Sequence, residues 1–328
     1  MSSKIKIEHR YDDRIHRLIK MRFASFKYRL HNNGYKAELL DGLNPPPPLY
    51  DDIECVKDGR YIKCQRDGKD DFYSWFVPAK EDDMPLLVVI PGYESKLKSY
   101  PDVSDKYNMI FISPLGYSTP FMLNYGKAYG DTWPTIYNTL CGFEGGYPDW
   151  LADAITVIEF IKDKGLADTD KLIFAGTSNG GAMSLILASY YGDRCLAACA
   201  DLPFLIGYST HRLNDVIYEF PPPPHIRFRQ SEAKKRFSLV DPDWHASRLR
   251  MPVLITSSDI DEDCPEADIT ALFHKIPETT TKTYIKYIGR PHGYSSEFFI
   301  DMMNFLDTLK ADGYFEENSN QHTAIRDI

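Results

Sequence analysis

The chain has 328 residues, 43% of them hydrophobic and 26% charged, the balance of an ordinary globular protein. A formal net charge of −9 argues against a nucleic-acid partner, which calls for a basic excess. No stretch is long and apolar enough to cross a bilayer, and the first residues, Met1-Ser-Ser-Lys-Ile-Lys-Ile-Glu, lack the apolar core and cleavage site of a secretory signal. A cytoplasmic protein is the expectation.

Residues 1–50 read as an N-terminal extension. Arg14 to Leu30 reads as an amphipathic helix, with Ile15, Leu18, Ile19, Phe23, Phe26 and Leu30 toward one side. Its other side is basic, which suits a membrane surface; the simpler reading is packing on the body or on a second subunit. Pro45 to Pro48 form a stiff connector. The body spans 51–310 and opens with strand-like runs at Ile53–Val56, Tyr61–Gln65 and Phe72–Val77, separated by turn signals. Strands follow at Leu86–Ile90 and Met109–Ser113, then a helix at Trp150–Lys164, a strand at Lys171–Ala175 and a helix at Gly180–Tyr191. Strands Leu196–Ala200 and Pro252–Ser257, helix Ala267–His274, strand Thr283–Ile288 and helix Ser295–Leu309 complete the pattern. Such alternation predicts an α/β fold, a mostly parallel central sheet with helices on both faces. The polar tail covers 311–328.

Two insertions interrupt the alternation. One, 115–147, is crowded with aromatics, among them Tyr125, Trp133, Tyr137 and Tyr147; the other, 204–247, carries Pro221 to Pro224. Insertions of this length suit binding loops or lids. The six cysteines are scattered without a Cys-x-x-Cys pair, so neither a disulfide nor a metal is expected.

The chemistry is carried by Gly176-Thr-Ser178-Asn-Gly180, lying between a buried strand and a helix. Strand, Gly-x-Ser-x-Gly, helix is the layout of a nucleophile elbow, which holds a serine hydroxyl out of the fold. A serine needs a base, and His292 stands in the loop directly after the last strand, flanked by Pro291 and Gly293. The base also needs an acid. Asp259, Asp261 and Asp263 compete in the loop after strand Pro252–Ser257, with Asp201 as a further rival. Spacing to a closing proline, Pro265, selects Asp261. Two backbone N–H groups should face the developing oxyanion: one from Asn179, after the nucleophile, and one from Tyr93, where Gly92 lets the backbone approach the substrate. Activity should fall as His292 protonates, near its ordinary pKa of ~6.5. His211, His225 and His245 lie in or beside the second insertion, where a substrate contact is conceivable but not a base.

With these residues in place, the chain resembles the α/β-hydrolase superfamily and, within it, the acetyl-xylan esterase and cephalosporin C deacetylase family, from about Met84 to Leu309. Pro91-Gly-Tyr93, Ser178-Asn-Gly-Gly181, Ala200-Asp-Leu-Pro-Phe-Leu205, Val240-Asp-Pro-Asp-Trp-His-Ala246 and Asp261…Cys264-Pro265 carry the resemblance. Pro91 and Asn179 depart from that family's histidine and glutamine, and the segment from Met1 to Pro48 has no match. The resemblance implies Ser178 as nucleophile, Asp261 as acid, His292 as base and Tyr93 with Asn179 as oxyanion donors. Asp201 becomes structural. It further implies no cofactor, a homo-oligomer, and removal of acetyl groups from sugars or small esters. Ser-Asn-Gly-Gly-Ala-Met is also similar to feruloyl esterases.

The resulting expectation is a serine carboxylesterase acting on a small ester, such as an acetylated oligosaccharide. Gly92, Tyr125 and Trp133 are expected to contact the substrate. A prolyl-oligopeptidase-like peptidase shares the fold, although nothing upstream resembles a propeller, and a non-catalytic binding protein on the same scaffold is the reading from a different class.

Overall fold

Short runs of β-branched, aromatic and leucine residues assemble one nine-stranded sheet in a computed structural model that describes residues 36–40, 59–65, 72–92, 101–112, 134–143, 145–224 and 227–315. The strands are β1 (Lys36–Leu39), β2 (Arg60–Gln65), β3 (Phe72–Val77), β4 (Pro85–Ile90), β5 (Asn108–Ile112), β6 (Asp168–Thr177), β7 (Cys195–Asp201), β8 (Val253–Ser258) and β9 (Lys282–Tyr287). Their order is β1-β2-β3-β5-β4-β6-β7-β8-β9. β1, β2, β3 and β5 pair antiparallel, and from β5 to β9 every pairing is parallel. This is the α/β-hydrolase fold that the alternation and the resemblance predicted.

Continuous apolar strands such as Pro85-Leu-Leu-Val-Val-Ile90 belong to a parallel sheet covered on both sides, because neither face meets water. Alternate residues serve the two layers. Leu86, Val88 and Ile90 pack with α2 (Tyr147–Asp163) and α3 (Asn179–Tyr191), while Leu87 and Val89 share the opposite layer with Phe298, Met302, Leu306 and Leu309 of α7 (Ser296–Ala311). All but one of the residues of α3 are buried, so no amphipathic stripe marks it. Pro148 opens α2, where a missing N–H costs nothing. The Ser295 hydroxyl caps α7 by accepting from Glu297 N–H at 3.0 Å.

Four elements were absent from the sequence reading. β1 lies within the expected extension and pairs with β2 at the sheet edge; four residues are too few for an alternation to register. Helix α1 (Pro134–Cys141) lies inside the aromatic insertion and is rich in weak helix formers. Tertiary contact stabilises it instead: Ile136, Tyr137 and Leu140 are buried, and Arg236 donates to the carbonyls of Thr139 (2.8 Å) and Leu140 (2.5 Å). Helices α4 (Leu213–Glu219) and α5 (Gln230–Ser238) occupy the second insertion, which is therefore a built subdomain rather than an open loop. The buried Asp241 carboxylate gathers it, accepting from the N–H of Gly207, Ser209 and Asp243 and from the Ser209 hydroxyl at 2.7–3.2 Å. Burial pushes its pKa up to about 6, against the pull of those donors.

The helix expected over 14–30, the expected connector 45–48, the strand expected over 53–56, residues Tyr93, Tyr125 and Trp133, and the tail from 316 lie outside the described residues. Helix α6 (Glu266–Lys275) completes the layer beside β8. Among the described residues no helix is long and apolar enough to cross a membrane.

Phe174 lies at the centre of β6, fully buried and stacked on Tyr191 of α3 with ring centroids 5.6 Å apart. Phe174→Ala should lower unfolding free energy by about 3–5 kcal/mol, through lost transfer energy and the cavity left behind. Urea denaturation measures this, and a loss below about 1 kcal/mol would contradict the packing described.

Candidate active site

β6 ends at Thr177 and α3 begins at Asn179, so the chain reverses at one residue, Ser178. Its backbone sits at φ 57°, a region that L side chains rarely occupy, and strain of order 1–3 kcal/mol goes with it. The surroundings hold it there. Ser178 N–H donates to the Asp201 carbonyl at 2.8 Å, and the Ser178 carbonyl accepts from Phe204 and Ala182, both at 3.0 Å. Gly176 and Gly180 are required for space: a Cβ would lie 2.3 Å and 1.8 Å, respectively, from the Ile90 carbonyl oxygen at the end of β4.

Three side chains converge at the carboxyl ends of the parallel strands. His292, in the loop after β9, places Nε2 3.0 Å from Ser178 Oγ and Nδ1 2.8 Å from Asp261 Oδ2. The other Asp261 oxygen accepts from the N–H of Asp263 (3.0 Å) and Cys264 (2.9 Å), so the carboxylate has a fixed orientation. The Asp261 side chain is fully buried, whereas His292 keeps 26% exposure, so a reactant has access to the imidazole edge and not to the acid.

The competing acids are placed elsewhere. Asp259 is exposed and accepts from Gly289 N–H at 2.7 Å; Asp263 is exposed. Asp201 is buried and faces Arg290. Of the other histidines, His211 pairs with Asp268 at 3.1 Å and His245 is buried against the Leu239 carbonyl at 3.2 Å. His225 is not among the described residues.

Burial alone would lower the pKa of His292, but the hydrogen bond and charge of Asp261, with Asp263 and Asp201 behind them, raise it above its ordinary value. This corrects the expectation of an unshifted histidine. For Asp261, burial raises the pKa, but the His292 hydrogen bond and the two backbone N–H donors more than offset this and hold it below the usual aspartate range. The signs are those of a carboxylate supporting an imidazolium. Stability from the raised His292 is complete below its unfolded pKa and is lost as pH rises through the folded value. Stability from the depressed Asp261 is lost as pH falls through its own folded value.

Asn179 is the first residue of α3, where a helix leaves N–H groups without intrahelical partners. Its side chain is held by the buried Tyr147, whose hydroxyl donates to Asn179 Oδ1 at 2.8 Å. Tyr147 and Tyr137, two of the aromatics of the first insertion, are buried packing residues. Gly92 is buried just past β4; Tyr93, Tyr125 and Trp133 are outside the described residues.

Cys264 entered the sequence reading only as part of the motif Asp261…Cys264-Pro265, without a place at the site. Its thiol lies within 4.8 Å of ligand atoms of Asp261 and His292, a carboxylate–thiol–imidazole grouping made by the fold. The carboxylate and imidazole are committed to one another, and burial pushes the thiol well above its ordinary pKa, so it stays protonated. Its position three residues after the acid was the only signal. Cys141, Cys195, Cys199 and Cys264 are free thiols.

A model of the prolyl oligopeptidase family matches residues 126–313. An acetyl xylan esterase from a Paenibacillus species is similar in structure, with a TM-score of 0.62 at 17% identity over 88% of this chain and 93% of that one. Acetyl xylan esterase 1 from a Thermoanaerobacterium species gives a TM-score of 0.56 at 18% identity, over 86% and 92%. Pyrococcus horikoshii acylaminoacyl peptidase gives 0.50 at 16% identity, over 77% of this chain but 41% of that one.

An NMR titration of His292 should give a midpoint above ~6.5. Asp261→Asn should bring the midpoint down by removing the hydrogen-bonded charge. A midpoint at or below the unperturbed value, unchanged in the variant, would contradict the coupling.

Proposed function

The chain belongs to the prolyl oligopeptidase family, a family of serine hydrolases, and on that premise we propose that it is a carboxylesterase that removes small acyl groups, acetyl above all, from an alcohol such as a sugar. The observation that carries this reading is the unbroken hydrogen-bond chain from Asp261 through His292 to Ser178 on a strained elbow.

His292 Nε2 accepts the Ser178 proton as Oγ attacks the ester carbonyl, and the imidazolium that forms is stabilised by Asp261. The tetrahedral oxyanion is met by the N–H of Asn179 and, in this reading, of Tyr93. Collapse expels the alcohol, which takes its proton from His292, and leaves an acyl-Ser178. Water, deprotonated by the same imidazole, then releases the acid. Asp261 is chosen over its neighbours because it alone is buried with both oxygens engaged, one of them on His292.

Esters are favoured over peptides by similarity: this chain spans 92–93% of two acetyl xylan esterases and 41% of the acylaminoacyl peptidase. Peptide hydrolysis is the second reading, favoured by the family itself. Matched p-nitrophenyl acetate and aminoacyl p-nitroanilide substrates separate the two.

Ser178→Ala should lower kcat/KM for p-nitrophenyl acetate by roughly 10⁴- to 10⁶-fold with an unchanged melting curve. Asp261→Asn should cost on the order of 10⁴-fold by favouring the wrong imidazole tautomer, while Asp263→Asn stays within about tenfold. A folded, active Ser178→Ala enzyme would defeat the assignment. Greater damage from Asp263→Asn would mean that another carboxylate is the acid.

A further inference from the structure

We propose that Arg290 is a positioning residue that sets the imidazole of His292 against Ser178 by clamping the histidine loop to Asp201. This rests on His292 being the base. The loop leaves β9, at the edge of the sheet, whereas Ser178 stands on β6, three strands away. Backbone pairing places His292 only relative to β8. Something must span the remaining gap.

Arg290 does so with both arms of its guanidinium. Nη1 donates to Asp201 Oδ1 and Nη2 to Asp201 Oδ2, both at 2.7 Å, a bidentate geometry that lysine cannot reproduce. Nη2 also donates to the Gly293 carbonyl at 2.7 Å, so one side chain brackets His292 from both sides. The Arg290 carbonyl accepts from the Ser258 hydroxyl at 2.5 Å, which fastens the loop to the end of β8. Nε has no hydrogen-bond partner among the described residues, so the hydrogen bonds that orient the fork are those to Asp201 and Gly293. Behind it, the guanidinium lies 4.7 Å from the centre of the Tyr287 ring, and the Tyr287 hydroxyl donates to Asp301 at 2.6 Å.

Asp201 is the other half of the clamp. Its carboxylate also accepts from Thr177 Oγ1 at 2.9 Å and Thr256 Oγ1 at 2.5 Å, on β6 and β8. Its carbonyl takes the N–H of Ser178. One residue therefore holds the nucleophile through its main chain and the base through its side chain. Asp201 and Arg290 are 0% and 6% exposed, so water can replace neither partner. The distance between base and nucleophile thereby becomes a property of a single buried ion pair.

The test uses Arg290→Lys and Asp201→Asn in the full-length protein, with Arg290→Met/Asp201→Asn as a pair that leaves no unpaired buried charge should either single variant fail to fold. Two readouts are taken: the far-downfield proton resonance of the His292–Asp261 hydrogen bond, and kcat and KM for p-nitrophenyl acetate. The expected result is a folded protein whose resonance is shifted or lost. kcat should fall on the order of 10²-fold with little change in KM, the cost of misplacing a catalytic group. An unchanged resonance and kcat in a folded variant would overturn the proposal. If the wild type cleaves no ester, the functional reading fails, while the resonance still decides whether Arg290 positions His292.

Discussion

The site depends on one close approach of backbone to backbone. Residues 176 and 180 lie so near the Ile90 carbonyl that neither can carry a Cβ, and that proximity seats the start of α3 directly on the end of β4. The chain must then turn within a single residue, which forces Ser178 to a positive φ and stands its hydroxyl out from the sheet. Strain at this point is sustained by what surrounds it: the almost wholly buried α3, and hydrogen bonds to both the N–H and the carbonyl of Ser178.

Around that turn the electrostatics are arranged in two adjoining pairs. Asp261 and His292 form one, with the carboxylate kept from solvent and the imidazole edge left open toward Ser178. Asp201 and Arg290 form the other, wholly enclosed, with its carboxylate one strand closer to Ser178. Burial penalises the charge on Arg290, and Asp201 more than offsets it, so the guanidinium remains an ion inside the fold. The two carboxylates thus hold different partners, an imidazole and a guanidinium, and do not compete for His292. A carboxylate at a strand end does not thereby face the histidine; what matters is which group its oxygens meet.

The parallel strands, the elbow and the order serine, acid, histidine were legible along the chain, because each depends on neighbours within a few residues. Apolar runs such as Leu172-Ile-Phe-Ala175 declare a covered strand wherever it lies, and flanking glycines declare a tight turn. Helix α1 was not legible, since its residues are weak helix formers and it is held by a partner far off in sequence, Arg236 on its last turn. Helices α4 and α5 were read only as part of an insertion around Pro221 to Pro224, although α5 is rich in strong helix formers. The aromatic content of the first insertion was legible but not the use of each ring: Tyr147 fixes Asn179 from inside the core.

By itself, then, the sequence determined the α/β architecture and the identities of a serine, a histidine and a short set of acids, all matters of local pattern. Only the tertiary structure decided which acid meets the histidine, since of Asp259, Asp261 and Asp263 it buries Asp261 alone and leaves the other two exposed. It also decided that Cys264 lies beside the site and that Arg290 reaches Asp201 across the end of β8. The reason is physical: side-chain contacts between residues 31 to 114 positions apart are set by strand order and by where each loop leaves the sheet, and no local period encodes either.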